Sequence, residues 1–164
     1  MFKLFVTSLI LCLSVPLAPT ADAAAPTGEK HPEAKPYDKK ASAAENVDAA
    51  LARAMLSDKR VLLVMGANWC HDSRGLAGWF ETPRFANMLK SQYELVYVDV
   101  GHRDRNIAIA QRFGIEKIVG TPTVLILSSS GALLNRDTAP TWRNAASREE
   151  DEIFEYFHKF TPES

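Results

Sequence analysis

Residues 60–73 read RVLLVMGANWCHDS, and this stretch decides the fold class of the 164-residue chain. The continuous apolar run at 61–67, rich in β-branched residues, is typical of a central strand covered on both faces. A helical pattern follows, with apolar residues on one face at 76–80. A buried strand that turns directly into a helix indicates an α/β fold, and the turn places Cys70 at the N-terminus of that helix.

The segments on either side continue the alternation of strands and helices. Ser42 and Glu45 have capping-box spacing and open a helix that ends near residue 57. Thr82-Pro83 has the pattern of an N-cap followed by a first-turn proline, which starts a second helical piece. We therefore expect an α/β fold with a central mixed β-sheet flanked by helices on both faces. The remaining predicted elements are strands at 93–100, 123–127 and 132–134, the last two forming a hairpin, a helix at 107–113 and a final helix capped by Ser147 and Glu150.

The first 25 residues have the pattern of a secretory signal peptide. Lys3 precedes an apolar run, and the small residues at 21–25 fit a signal-peptidase site. The run is shorter than the roughly 20 residues needed to cross a bilayer, so we expect cleavage, with a permanent anchor as the alternative. Bulky residues at 9–11 argue against lipid modification of Cys12. The prediction is an exported protein, periplasmic in a bacterium with two membranes and otherwise secreted.

The mature chain is predicted to have two parts, a flexible linker at 26–41 and one folded domain at 42–164. The linker is rich in Ala, Pro and Lys, which cannot bury enough apolar surface to offset the entropy of ordering. With a net charge of −1, the chain has no basic excess for binding nucleic acid. We expect no membrane contact after signal removal, and the oligomeric state stays open.

The chemistry of the chain is concentrated at Cys70. Unpaired N–H groups and the positive end of the helix dipole favour a thiolate over a thiol at a helix N-terminus. A thiolate in this position is a nucleophile at neutral pH. Because Cys12 leaves with the signal peptide, Cys70 has no internal cysteine partner in the mature chain.

Around Cys70 the sequence resembles the thioredoxin superfamily, and the resemblance covers roughly residues 44–160. It implies a thioredoxin-like fold, most similar to that of exported bacterial thioredoxin-like proteins. It also implies that Pro122 is cis and lies beside Cys70, and that Thr121 offers its backbone to an extended substrate segment. The motifs that carry the resemblance are Trp69-Cys70-x-x-Ser73, YVDV at 97–100, FGI at 113–115 and GTPT at 120–123.

Two departures from the family pattern bear on function. Ser73 stands where dithiol members have their second cysteine, and Val64 stands where thioredoxins have a buried acid. A serine hydroxyl is not redox-active and cannot resolve a mixed disulfide. The sequence therefore predicts a monothiol site in which Cys70 is the nucleophile, Ser73 hydrogen-bonds its thiolate, and an external thiol releases the substrate.

The neighbours of Cys70 are predicted to bind substrate. Trp69 covers the thiol and lines the substrate groove, or its ring packs on the edge of the sheet. By the resemblance, Thr121 and Pro122 lie beside Cys70. His71 adds positive charge when it is protonated, although its place in the helix points it toward solvent. Asp72 is interpreted as a first-turn acid that complements the helix dipole.

Three functions fit these residues. The first is thiol–disulfide exchange on protein or glutathione thiols and disulfides through Cys70. The second is a redox-silent module that binds client or partner proteins near Pro122. The third is a metal site formed by Cys70 and His71, which is disfavoured because soft-metal sites recruit more than two ligands. No metal and no cofactor is therefore predicted.

Overall fold

A computed structural model describes residues 31–162 of the chain. The predicted signal peptide at 1–25 lies outside the described residues. The order of the main elements agrees with the sequence pattern. In chain order the elements are α1 (Ala43–Ser57), β1 (Arg60–Gly66), α2 (His71–Glu81), α3 (Pro83–Gln92), β2 (Tyr93–Asp99), α4 (Ile107–Arg112), β3 (Thr123–Leu127), a 3₁₀ helix (Ala139–Ser147) and α5 (Glu150–Lys159).

The described strands form one mixed sheet in the order β2-β1-β3. Strand β1 runs parallel to β2 and antiparallel to β3. Alternate side chains of β1 enter two cores, one on each face of the sheet. Leu62 and Val64 pack with α2, α3, α5 and the 3₁₀ helix, whereas Val61 and Leu63 pack with α1 and α4. The predicted α/β fold with helices on both faces is confirmed.

The predicted hairpin is the main difference in the sheet. Residues 132–134 do not form a strand, and only an isolated bridge joins Leu133 to Leu127. The Asn135 side chain takes the place of a longer ladder: its Oδ1 accepts from the Ile126 N–H at 2.8 Å and its Nδ2 donates to the Val124 carbonyl at 2.9 Å. A side chain that satisfies backbone groups of β3 removes the need for a partner strand there.

Two predicted helix caps also differ from the structure. Ser42 is the N-cap of α1, but its side chain makes no capping hydrogen bond. The N-cap of α5 is Glu149, and Ser147 is instead the last residue of the 3₁₀ helix. The prediction of Ser147 as the cap of the final helix was wrong. Ser147 still belongs to the 3₁₀ helix, which buries Trp142 completely, so α5 begins only after Glu149.

The structure differs from the predicted flexible linker over residues 32–38, here called the N-terminal strap. Tyr37 is only 2% exposed and belongs to the core that contains α2. The Asn68 side chain pairs with both the N–H and the carbonyl of Tyr37, at 3.1 and 2.8 Å. The strap crosses α2 at Gly78, where a Cβ would stand 2.3 Å from the Pro32 backbone. One buried ring with a satisfied backbone thus fixes a segment whose average composition predicts disorder.

Within residues 31–162, no helix combines the length and the apolar character needed to cross a bilayer.

Candidate functional site

Cys70 lies in the turn between β1 and α2, at the N-cap of α2. Its N–H donates to the Ala67 carbonyl at 3.1 Å, and its own carbonyl accepts the first helical hydrogen bond from Arg74 at 3.0 Å. The side chain is 8% exposed. The local backbone therefore places the sulfur at the positive end of the α2 dipole, where a thiolate is stabilised.

The loop before β3 forms the wall opposite Cys70. The Cys70 Sγ donates to the Thr121 carbonyl at 3.2 Å, and the Thr121–Pro122 peptide bond is cis. Thr121 and Pro122 are both buried. The structure thus brings Cys70, Thr121 and Pro122 together, across 51 residues of sequence.

Ser73 lies one turn into α2 and is completely buried. Residues three apart share one side of a helix, so Ser73 and Cys70 face the same interior space. Within residues 31–162, the Ser73 Oγ has no hydrogen-bond partner. A serine hydroxyl can donate one hydrogen bond while it accepts another.

Trp69 is the exposed aromatic side chain next to the thiol, with half of its surface in solvent. Its Nε1 donates to the Gly101 carbonyl at 2.8 Å. The ring stacks on His102, with 4.9 Å between centroids and 17° between planes. Trp69 and His102 together form a flat aromatic surface beside Cys70.

His71 and Asp72 are directed away from the sulfur. His71 Nδ1 lies 2.7 Å from Glu33 Oε1 at an exposed position, and Arg74 Nε lies 3.1 Å from the other carboxylate oxygen of Glu33. Hydrogen bonding from Arg74 is the main cause that lowers the pKa of Glu33; desolvation opposes it, and the hydrogen bond with His71 lowers the pKa further. Asp72 accepts from the Ala146 N–H at 3.0 Å.

Sequence reasoning missed two buried polar residues behind the thiol, Tyr37 and Asp99. The Tyr37 hydroxyl and the Ser73 Oγ both lie 2.6 Å from the point where a Cβ on Gly66 would stand. Asp99 Oδ1 accepts from the Gly101 N–H at 3.0 Å. Neither the Tyr37 hydroxyl nor Asp99 Oδ2 has a partner among the described residues. The one available signal for Tyr37 was its being the only aromatic residue in 26–41.

Desolvation by burial raises the pKa of Tyr37 well above its usual value. The nearby Tyr97, Cys70 and Asp99 act in the same direction, because a negative charge on any of them opposes a phenolate. The nearby Ser73 hydroxyl acts in the opposite direction, with less effect than burial or Tyr97. Tyr37 is therefore a neutral hydroxyl at physiological pH and can donate a hydrogen bond.

The described residues hold no group of three or more His, Cys, Asp or Glu side chains placed to bind a metal ion. Cys70 and His71, the two metal ligands considered from the sequence, have different partners: Cys70 contacts the Thr121 carbonyl, and His71 pairs with Glu33.

Comparison with known proteins identifies the family. Residues 42–129 match the family described as Thioredoxin-like. The crystal structure of a disulphide isomerase from Xylella fastidiosa Temecula1 is 32% identical with a TM-score of 0.72, and the match covers 77% of this chain and 96% of that chain. The C-terminal domain of Neisseria meningitidis DsbD in its reduced form is 19% identical with a TM-score of 0.47, covering 71% and 95%. No curated protein sequence matches.

This chain belongs to the thioredoxin-like family. The family match includes the strand, the turn and the helix that carry Cys70. The family match and the structural match confirm the resemblance stated from the sequence motifs.

Proposed function

We propose that this protein catalyses thiol–disulfide exchange through Cys70, with a thiol from another molecule completing each cycle. The observation that carries the proposal is a sulfur at the N-terminus of α2, 3.2 Å from the Thr121 carbonyl. Cys70 is the only cysteine within residues 31–162. The relative from Xylella fastidiosa, which is named a disulphide isomerase, supports this class of chemistry.

The first step is attack of the Cys70 thiolate on one sulfur of a substrate disulfide. The substrate S–S bond breaks, a new S–S bond joins Cys70 to one substrate sulfur, and the other substrate sulfur leaves as a thiolate. That thiolate takes a proton from water or attacks another disulfide of the same substrate. The two sulfur atoms of the mixed disulfide hold the oxidation equivalent of the original bond.

The second step releases Cys70. A thiolate from a protein or from glutathione attacks the substrate sulfur of the mixed disulfide, and Cys70 departs as a thiolate. Ser73 cannot perform this attack, because its hydroxyl is neither acidic nor redox-active. The site therefore isomerises or exchanges disulfides without storing an internal disulfide of its own.

Substrate binding is assigned to the residues around the sulfur. Trp69 offers a half-exposed ring, and Thr121 and Pro122 line the other side of Cys70. His71, the residue after Cys70, is exposed and paired with Glu33, where it can contact charged groups of a substrate. Removal of the Cys70 proton breaks the hydrogen bond to Thr121 and frees that carbonyl for an extended substrate segment.

We also propose that residues 1–25 are a cleaved signal peptide and that the domain works outside the cytoplasm. Exported compartments are oxidising, so protein disulfides persist there as substrates. In a bacterium with two membranes the location is the periplasm; otherwise the protein is secreted.

The test is exchange with glutathione disulfide and with a model protein disulfide, followed by mass spectrometry of Cys70. Wild-type protein is expected to form a mixed disulfide at Cys70 and to turn over when reduced glutathione is added. Cys70→Ala is expected to lose all exchange, and Cys70→Ser serves as the polar control with the same loss. A wild-type protein that forms no mixed disulfide under these conditions contradicts the proposal.

A second function, a redox-silent binding module, is favoured by one observation. Cys70 is only 8% exposed, and its sulfur is held by the Thr121 carbonyl. A binding module would keep its affinity for a client polypeptide in Cys70→Ala while the wild-type protein shows no exchange. That pair of results selects this alternative over catalysis.

A further inference from the structure

Three buried polar side chains lie around Gly66, two of them facing it directly and the third on the residue paired with it in the sheet, and the thiol–disulfide cycle as written does not use all of them. The Tyr37 hydroxyl, the Ser73 Oγ and Asp99 Oδ2 each lack a hydrogen-bond partner among residues 31–162. All three side chains are at least nine-tenths buried. Buried polar groups are nearly always paired, so three unpaired ones at one place call for an explanation.

Gly66 shows how close two of these groups are. The missing side chain at Gly66 leaves room that the Tyr37 hydroxyl and the Ser73 Oγ fill from opposite elements, the strap and α2, each 2.6 Å from the position of a Cβ. Ser73 also follows Cys70 by three residues on α2, which puts both side chains on one side of that helix. The order of groups is therefore Tyr37, Ser73, Cys70.

Tyr37, Ser73 and Cys70 form a row of polar groups, and the direction of each hydrogen bond along this row follows from their protonation. Tyr37 stays protonated because burial raises its pKa and the charge of Asp99 opposes a phenolate. A protonated phenol donates, and a serine hydroxyl can accept one hydrogen bond while it donates another. When Tyr37 donates to Ser73, the hydrogen of Ser73 is left for the sulfur.

We propose that Tyr37, supplied by the N-terminal strap, is a positioning residue for Cys70: its hydroxyl orients Ser73 so that the Ser73 hydroxyl donates to the Cys70 thiolate. The inference rests on the proposed function, because it concerns the ionised sulfur that exchange requires. No proton is transferred along the row. Stabilising the thiolate makes Cys70 a better leaving group when the external thiol attacks the mixed disulfide.

The strap holds Tyr37 in place through contacts that are independent of its hydroxyl. Asn68, two residues before Cys70, binds the Tyr37 N–H and carbonyl. The Tyr37 ring packs edge-on against Tyr97, with 5.3 Å between centroids. Tyr37→Phe therefore removes the oxygen and keeps the anchor.

The charged and titratable side chains near the sulfur contact other groups. On α2, His71 is directed to Glu33 and Asp72 to the Ala146 N–H. After β2, Arg105 Nε lies 3.7 Å from Asp99 Oδ1. From the same loop, His102 stacks on Trp69 at the surface.

The experiment measures alkylation of Cys70 by iodoacetamide as a function of pH in the full chain. Mass spectrometry follows the Cys70 peptide, so that Cys12 does not contribute. In Tyr37→Phe we expect the midpoint of the profile to rise by about half to one pH unit, and alkylation below the midpoint to slow about 3- to 10-fold. An unchanged midpoint in a folded Tyr37→Phe variant overturns the proposal.

Tyr93→Phe is the matched control, because it also removes a buried phenol oxygen from the same core. Its hydroxyl donates to the Phe157 carbonyl, a group outside the site, so we expect no change in the midpoint. An equal rise in both variants would mean that loss of stability, rather than position, moves the profile, and would contradict the inference.

Ser73→Ala provides the second arm and keeps the test open if Tyr37→Phe does not fold. We expect the midpoint to rise at least as much as in Tyr37→Phe. In the double variant, Tyr37→Phe should add nothing, since Tyr37 acts through Ser73. Fully additive shifts, or no shift in Ser73→Ala, overturn the arrangement. If the variants show these shifts in the alkylation midpoint but the wild-type protein shows no thiol–disulfide exchange, the result contradicts the proposed function and leaves the positioning role of Tyr37 standing.

Discussion

Two tyrosines on the same face of the sheet, Tyr37 and Tyr93, are buried to nearly the same degree, at 2% and 3% exposed. Burial is the main cause that raises the pKa of each phenol. The difference lies in their oxygen atoms. The Tyr93 hydroxyl donates to the Phe157 carbonyl at 2.5 Å, whereas that of Tyr37 has no such partner in the described part of the chain.

This difference separates a structural tyrosine from one that serves a site. Tyr93 joins the start of β2 to α5, and its hydrogen bond is complete in the folded state. Tyr37 ends beside Ser73 and the N-terminus of α2. A buried hydroxyl left unpaired lowers the stability of the fold, so its presence beside Cys70 is consistent with a bond that forms when the sulfur ionises.

The largest expected effect comes from displacing the strap at Gly78, which moves Tyr37 and leaves Tyr93 in place. A Cβ in Gly78→Ala would stand 2.3 Å from the Pro32 backbone, so the strap must lift. We expect the free energy of unfolding to fall by about 2–3 kcal/mol, somewhat less than the cost of truncating a buried aromatic side chain to alanine. Urea denaturation measures this loss, and limited proteolysis reports release of the strap.

Gly75→Ala is the matched control in the same helix. A Cβ there meets Ala146 at 3.4 Å, an ordinary contact. Replacing a helical glycine by alanine then stabilises the protein by up to about 1 kcal/mol. Equal behaviour of the two variants would show that the strap does not depend on Gly78.

The next effect separates the two hydroxyls directly. Tyr93→Phe leaves the Phe157 carbonyl without its donor, which should lower the free energy of unfolding by about 1–3 kcal/mol. Tyr37→Phe removes a hydroxyl that has no partner in the described part of the chain, so it should leave the free energy of unfolding unchanged or raise it by up to about 1 kcal/mol. Paired urea titrations check both values. A large loss in Tyr37→Phe would mean that its hydroxyl is a structural group like that of Tyr93.

Much of the fold could be predicted from the sequence because its signals are local. The apolar run of β1 and the proline that opens α3 each specify their own element. The failures depend on side chains that act across the chain. Asn135 replaces a strand by bonding to β3, and the 3₁₀ helix is held by the burial of Trp142. Neither contact has a periodic pattern in the sequence.

The site divides in the same way. The place of Cys70 and Ser73 at the start of α2 follows from a strand that runs into a helix. Tyr37 could not be predicted, because 31 residues separate it from Asn68, which fixes its backbone. Composition averages the strap with residues rich in Pro and Lys and hides its one aromatic anchor.

The smallest effect is one in which the two tyrosines should behave alike. A phenol with a raised pKa keeps its proton in the folded state when the unfolded chain, which titrates near pH 10, has lost it. Above about pH 10 the unfolded state therefore binds fewer protons, and stability falls as pH rises. Each buried phenol adds up to about 1.4 kcal/mol per pH unit to that slope.

Removing either oxygen, in Tyr37→Phe or Tyr93→Phe, should flatten the slope by a similar amount, because burial, the leading cause of both shifts, is shared. Urea titrations between about pH 9 and about pH 11 measure the slopes. If Tyr37→Phe left the slope unchanged while Tyr93→Phe flattened it, the Tyr37 phenol would titrate in the folded protein as it does in the unfolded chain, and burial would not be holding its proton.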